Sequence, residues 1–378
     1  MSKVKLGDVA VECRETCKGS KDGYPIVGLE HLVPGEVTLT AWDEAGDTTF
    51  NKMFRKGSVL FGRRRAYLRK AAVAPFDGIC SSDITVIKAN QDRLVPELLP
   101  FIIQNDGLFD FAVGKSAGSL SPRVKWEHLK NYEFELPDDM AKQQELAELL
   151  WAIDATKKSY QRLISATDEL VKSQFIDMFG NLGEDEKGWG LTTLGKCCEL
   201  NPRRLKDIDD ELLVSFVPMP AVSEDGRIDT TETKKYAEVK KGFTYFAEND
   251  VLFAKITPCM ENGKGCIAGG LVNGLGAGST EFHVLRPIAG KSNPYWLYIL
   301  TMQEAFRSSA RKAMTGTGGQ LRVPSGFLEN YPITMPPIDL QETFEEMVRQ
   351  SDKSKFELKK ALSELTATYK RIIKENIG

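Results

Sequence analysis

Residues 141–179 read AKQQELAELLWAIDATKKSYQRLISATDELVKSQFIDMF, and residues 339–375 read DLQETFEEMVRQSDKSKFELKKALSELTATYKRIIKE. In the first stretch Leu146, Leu150, Ile153, Lys157, Tyr160, Ile164, Thr167 and Val171 follow one another in steps of four and three. In the second the same steps pick out Phe344, Val348, Ser351, Lys355, Leu358, Leu362, Leu365 and Tyr369. Each pair is 198 positions apart, the unusual Lys157/Lys355 match included. Alternating four-three spacing is the seam of a coiled coil, so the two helices are expected to pack on each other. A helix of about 37 residues at about 1.5 Å per residue extends about 55 Å. Because the chain between them must return, an antiparallel pair is expected, with an approximate two-fold axis relating the two halves.

What precedes each helix also repeats. Leu6-Gly7-Asp8 answers Leu194-Gly195-Lys196, and residues 56–63 (KGSVLFGR) answer residues 248–255 (ENDVLFAK). Residues 81–87 (SSDITVI) answer residues 278–285 (GSTEFHVL), and residues 120–129 (LSPRVKWEHL) answer residues 321–328 (LRVPSGFL). Order is kept and loop lengths drift, which is the mark of duplication. Val59–Phe61, Ala71–Ala74 and Ile84–Ile87 read as strands, with Asp77-Gly78 a turn; Pro96–Phe111 reads as one helix. Val251–Phe253, Cys266–Ala268 and Glu281–Leu285 repeat the strands and Pro294–Ala313 the helix. The expected class is therefore α+β, with two similar mixed α/β domains and two long helices. Domain one spans 1–139, the central helix 140–180, domain two 181–337 and the C-terminal helix 338–378. The polar, glycine-rich residues 180–190 (GNLGEDEKGWG) end the first helix and begin a linker.

At 378 residues, with 42% hydrophobic and 27% charged side chains, the chain has room for two domains plus the helices. No apolar window is long enough to span a bilayer, and residues 1–10 lack the apolar core of a signal peptide, so a cytoplasmic protein with no membrane partner is expected. Seven irregularly spaced cysteines form no disulfide framework. Cys13, Cys17 and His31 lack the further ligand pair a zinc site needs, and reduced thiols are expected. The net charge of −3 hides local bias: residues 55–70 (RKGSVLFGRRRAYLRK) contain seven cations and no acid.

Signatures of catalysis are missing. A DNA methyltransferase needs a glycine-rich turn for its methyl donor and an Asn/Asp-Pro-Pro-aromatic box; Asn201-Pro202-Arg203 and Asn293-Pro294-Tyr295 each lack the second proline. Gly114-Lys115-Ser116 ends like a phosphate-binding loop, but Phe109 stands where its first glycine belongs. Glu232-Thr233-Lys234 and Glu238-Val239-Lys240 satisfy a nuclease-like Glu-x-Lys pattern formally, yet such triplets arise readily in a chain this charged. No catalytic residue, metal site or cofactor site is expected in the chain.

The residue types that meet DNA are present. Phosphate contacts supply affinity and base-edge contacts supply sequence. Arg63, Arg64 and Arg65 follow a strand, with Tyr67 nearby, and forked guanidinium groups suit both phosphate and guanine edges. Residues 115–123 (KSAGSLSPR) offer Lys115, Ser116, Ser119 and Arg123 on a small-residue loop. Residues 315–322 (TGTGGQLR) repeat it with Thr315, Thr317, Gln320 and Arg322. Lys255, Thr257 and Lys264 occupy the region matching Arg63–Arg65. Ser279-Thr280-Glu281-Phe282 is expected to hold loops together as well as, or in place of, touching DNA.

With these strings in this order, twice over, around two long helices, the chain resembles the DNA specificity subunits of Type I restriction-modification systems. The resemblance runs over essentially the whole chain, including residues 336–342 (PPIDLQE) at the entry to the last helix and Met178-Phe179-Gly180 after the first. It implies two target-recognition domains joined by an antiparallel helical pair, each reading one half of a bipartite, asymmetric site in double-stranded DNA. It also implies two methyltransferase subunits on the helices, carrying S-adenosylmethionine and adenine methylation. Restriction subunits using ATP and Mg²⁺ would complete the enzyme. One departure stands out: Ser81-Ser82-Asp83-Ile84 faces Gly278-Ser279-Thr280-Glu281-Phe282, so residue roles are not copied between halves. The rival readings are a non-catalytic coiled-coil adaptor and a nuclease using one Glu-x-Lys triplet.

Overall fold

A computed structural model describes residues 1–44, 46 and 48–378. The chain divides into two compact units, 1–162 with 358–378 and 163–357. Each unit therefore takes in part of both long helices.

In the first unit a four-stranded antiparallel sheet runs in the order Ala10–Cys13, Ile84–Ala89, Val59–Gly62, Ala71–Val73. Val59, Phe61 and Ile87 face the helices, and Leu60, Val86, Ala72 and Ile84 face a smaller sheet made of Ile26–Val27, Gly78–Cys80 and Lys52–Phe54. Burial on both faces explains why Val59–Gly62 carries no polar alternation. The second unit repeats the plan: Cys198–Leu200, Phe282–Pro287, Val251–Ala254 and Gly265–Ile267 in one sheet, backed by Thr233–Lys235, Leu213–Val217, Leu275–Gly278 and Thr244–Ala247. Registers match: Leu60 sits opposite Val86 as Leu252 sits opposite Val284.

Three expectations are corrected. Residues 96–111 do not form one helix: Leu99–Ile103 and Asp106–Gly114 are separate. Asn105 breaks them, with extended backbone and a side chain that accepts the Gly107 N–H at 2.9 Å. Likewise Pro294–Met302 and Glu304–Ala313 are divided at extended Gln303. Asp77-Gly78 is not a turn between two strands of one sheet, since Gly78 opens the strand Gly78–Cys80 of the backing sheet. A Cβ at Gly78 would lie 2.4 Å from the Phe54 ring, which is why glycine stands there.

The long helices are Met140–Phe179 and Ile338–Ile377, 40 residues each. In the first unit Lys157 Nζ lies 4.8 Å from the centre of the Tyr369 ring, and Leu146 and Leu150 share a core with Ile373 and Ile377. In the second unit Phe344 packs against Phe175 and Phe179, and Lys355 meets Asp168 at 2.7 Å. Within each unit, rising numbers on one helix meet falling numbers on the other, so the pair is antiparallel. Every seam position quoted above is buried or half-buried.

Each helix is tied to its domain by the same side chain 198 positions apart. Buried Gln143 donates to the Pro137 and Arg93 carbonyls and accepts the Val95 N–H. Buried Gln341 donates to the Pro336 and Lys291 carbonyls and accepts the Asn293 N–H.

Candidate nucleic-acid interface

The basic segment leaves the central sheet at Gly62 and is stitched at once to two other loops. The Arg63 N–H donates to the Asp83 carbonyl at 2.9 Å, and the Arg63 carbonyl accepts from Val124 at 3.0 Å. In the second unit the Lys255 N–H donates to the Glu281 carbonyl and the Lys255 carbonyl accepts from Val323, both at 2.9 Å. Arg65 N–H reaches Pro122, as Thr257 N–H reaches Leu321. Three loops therefore converge at one place in each unit, and Arg63 corresponds to Lys255.

A carboxylate sits at each convergence. Arg123 donates to Asp83 from Nε at 2.6 Å and from Nη2 at 3.3 Å, and Arg64 approaches the same carboxylate at 3.4 Å while donating to Ser121 Oγ. Arg322 forks onto Glu281, with two contacts of 2.9 Å and one of 3.2 Å. Arg123, then Arg64, hold the Asp83 carboxyl below its ordinary range, and Arg322 does the same for Glu281. The turns also match, with Asp83 N–H donating to Ser81 Oγ and Glu281 N–H to Ser279 Oγ, both 3.2 Å. The difference between the halves read from the sequence thus closes on one role. Asp83 was missed because guanidinium groups suit phosphate and carboxylate alike, and a pair 40 residues apart leaves no spacing signal.

The remaining candidates divide between free surface and local structure. Arg65, in left-handed backbone with φ 54°, is exposed, and Tyr67 beside it is 54% exposed. Lys115 lies over the Phe111 ring, Ser119 is exposed, and Ser116 Oγ donates to the Ala112 carbonyl at the end of its helix. Thr315 and Thr317 pair with Gln320–Arg322 in an exposed hairpin turned at Gly318-Gly319, both with positive φ. Thr257 Oγ1 bonds Glu261, and Lys264 Nζ donates inward to the Met219 carbonyl at 3.4 Å. The loop holding both is tied by buried Arg307, which donates to the Met260 and Gly263 carbonyls. Burial lowers the Arg307 pKa to about 10. In the first unit the tie has the opposite polarity, Arg69 reaching Asp106 and Asp110 on the helix.

The nuclease-like triplets serve local structure. Glu238 accepts the Lys235 N–H, Lys240 pairs with Asp210, and Lys234 lies over the Phe216 ring beside Glu232. Cys80, Cys198 and Cys266 are buried thiols pushed up to about 12. Cys17 bonds the Gly19 and Ser20 carbonyls, while His31 approaches Glu30 and Asp43.

Residues 186–366 match the family model of the Type I restriction modification DNA specificity domain. That match covers just under half of the chain. The Type I restriction enzyme EcoEI specificity subunit of Escherichia coli is 43% identical over 188 residues, 47% of this chain and 31% of that protein. The EcoAI specificity subunit of Escherichia coli is 42% identical over 193 residues, 48% and 32% of the two chains. The matched stretch spans about a third of the length of these curated relatives. The crystal structure of a Type-I restriction-modification system S subunit from M. genitalium shares the fold, with a TM-score of 0.56 at 12% identity over 100% of this chain and 96% of that one. The family match falls on residues 186–366, yet the loop convergence and its Arg–carboxylate clamp occur in both units. Among the described residues no helix is long and apolar enough to cross a membrane.

Proposed function

We propose that this chain is the non-catalytic DNA-recognition subunit of a Type I restriction-modification enzyme. Each domain reads one half of a bipartite, asymmetric site in double-stranded DNA, and the paired helices set the unread gap. Two methyltransferase subunits dock on the helices and bring S-adenosylmethionine for adenine methylation; restriction subunits bring ATP and Mg²⁺. The assembly works in the cytoplasm, where its DNA is. The domain boundaries 1–139, 140–180, 181–337 and 338–378 belong to this reading. So do the contact residues named from the sequence, among which Arg65, Tyr67, Lys115, Ser119 and the 315–320 hairpin are exposed and stand outside the clamps.

The observation that carries the reading is the doubling itself. The matched domain and the stretch before it share one sheet order, one clamp and one glutamine joint, as two readers on one frame require. Sequencing methylated adenines in a host expressing this chain with its modification subunit tests it. Methylation confined to one two-part sequence with a fixed spacer is expected. Unaltered host methylation, or a single continuous site, rejects the reading.

A further inference from the structure

The loop convergence opens, in each unit, onto a cleft at the same place in the fold. Their volumes are about 590 Å³ in the first unit and about 550 Å³ in the second. Arg63 lines the first and Lys255 the second, and these residues correspond through their matching backbone bonds. Ser82 and Thr280, each just before the clamp carboxylate, line the two clefts in turn. Lys52 and Thr244 do so as well; they correspond by register, being opposite Cys80 and Gly278, the residues that lead into the matching turns. Trp126 and Ser325 open the short helices that follow. A surface hollow repeated by position yet lined by different chemistry is what two readers of different sequences require.

A second observation concerns Arg63 alone. Its Nε is buried and has no hydrogen-bond partner among the described residues. A guanidinium cannot shed its proton, and the rest of this half-buried, cleft-lining side chain likewise makes no hydrogen bond or ion pair among the described residues, so its donors are left for an acceptor on a ligand. The side chain of Lys125, beside it in the cleft, makes no hydrogen bond or ion pair among the described residues. In the second cleft Arg203 has none either, and His283 is turned away: burial keeps it neutral, its Nε2–H donates to the Val323 carbonyl and its Nδ1 accepts from Asn201. Each cleft therefore presents cationic donors without acceptors of their own. By contrast Arg123, Arg64 and Arg322 are committed to the clamps.

We propose that base edges are read inside this duplicated cleft, with Arg63 taking the N7/O6 edge of a guanine in the first half-site and Lys255 reading the second. Arg123 and Arg322 are positioning residues that hold the cleft walls through Asp83 and Glu281. The proposal rests on the DNA-recognition reading above. Guanine N7 and O6 are the major-groove acceptors that an arginine fork matches, and a lost contact of this kind weakens discrimination on the order of ten- to a hundredfold.

The test uses the full chain with its modification subunit, and compares wild type, R63Q with K125Q, and K255Q with R203Q. Methylome sequencing and binding to a library of duplexes are read together. Expected is relaxed base preference in one half-site for the first pair of substitutions, in the other half-site for the second, with the untouched half unchanged. If either pair lowers affinity evenly for all sequences while preference stays, the cleft holds phosphate and the proposal falls. Unchanged preference and affinity overturn it too. A wild-type complex that selects no two-part sequence instead removes the DNA-recognition reading on which the proposal stands.

Discussion

Asp83 bears one negative charge against two guanidinium groups, Arg123 and Arg64, and its partner in the second unit, Glu281, faces Arg322. Arg123 and Arg64 lower the carboxyl pKa of Asp83 in the fold. A group lowered in this way stabilises the folded state above its unfolded pKa, about 3.9 for Asp, and loses that contribution as pH falls through the folded value. D83N should therefore lower the thermal midpoint by a few degrees at pH 7. The gap from wild type should shrink as the pH is taken below about 4. Melting curves across this range check it, and a gap that stays constant with pH would mean that the charge of Asp83 plays no part. The residue scale is also where the sequence was least legible. It displayed the donors Arg64, Arg123 and Arg322 openly, but whether a guanidinium meets a phosphate or a carboxylate depends on which loop folds beside it.

Among elements, the long helices were readable because a seam of four-three steps is a local pattern and was written twice. The shorter helices were not, because Asn105 and Gln303 break them by backbone geometry within apolar runs that favour continuation. The glutamine joints were also invisible: Gln341 lay inside a string quoted for likeness alone, and nothing in a glutamine announces burial. Each holds three backbone groups of its domain at the start of its helix. Replacing Gln143 by leucine keeps the bulk but leaves the Val95 N–H and two carbonyls without that partner, and each buried unsatisfied group costs about 1–3 kcal/mol. Q143L should destabilise by about 3 kcal/mol in urea denaturation, whereas Q144L, on the exposed face, should stay within about 0.5 kcal/mol. Equal effects from both would show that the buried joint contributes nothing to holding helix and domain together.

At the scale of the whole molecule, duplication sets the logic. One sheet order, one clamp and one joint are used twice, and the 198-residue offset between seams keeps the helices in phase with each other. If the paired helices set the unread gap, changing their length must change the spacing of the DNA site while leaving both half-site sequences alone. Seven residues are two turns of a coiled coil and preserve the seam, whereas an insertion out of phase would bury charge. Seven added to each helix, after Arg162 and after Ala361, lengthen the pair by about 10.5 Å. At 3.4 Å per base pair this bounds the change at about three base pairs. Twist sets a tighter limit, since added base pairs also rotate one half-site about the DNA axis while a heptad turns the helix by only about 20°. An increase of one to three base pairs in the methylated site is therefore expected, with base preferences in both halves retained. An unchanged gap in a complex that still methylates would show that spacing is set somewhere other than in the helices.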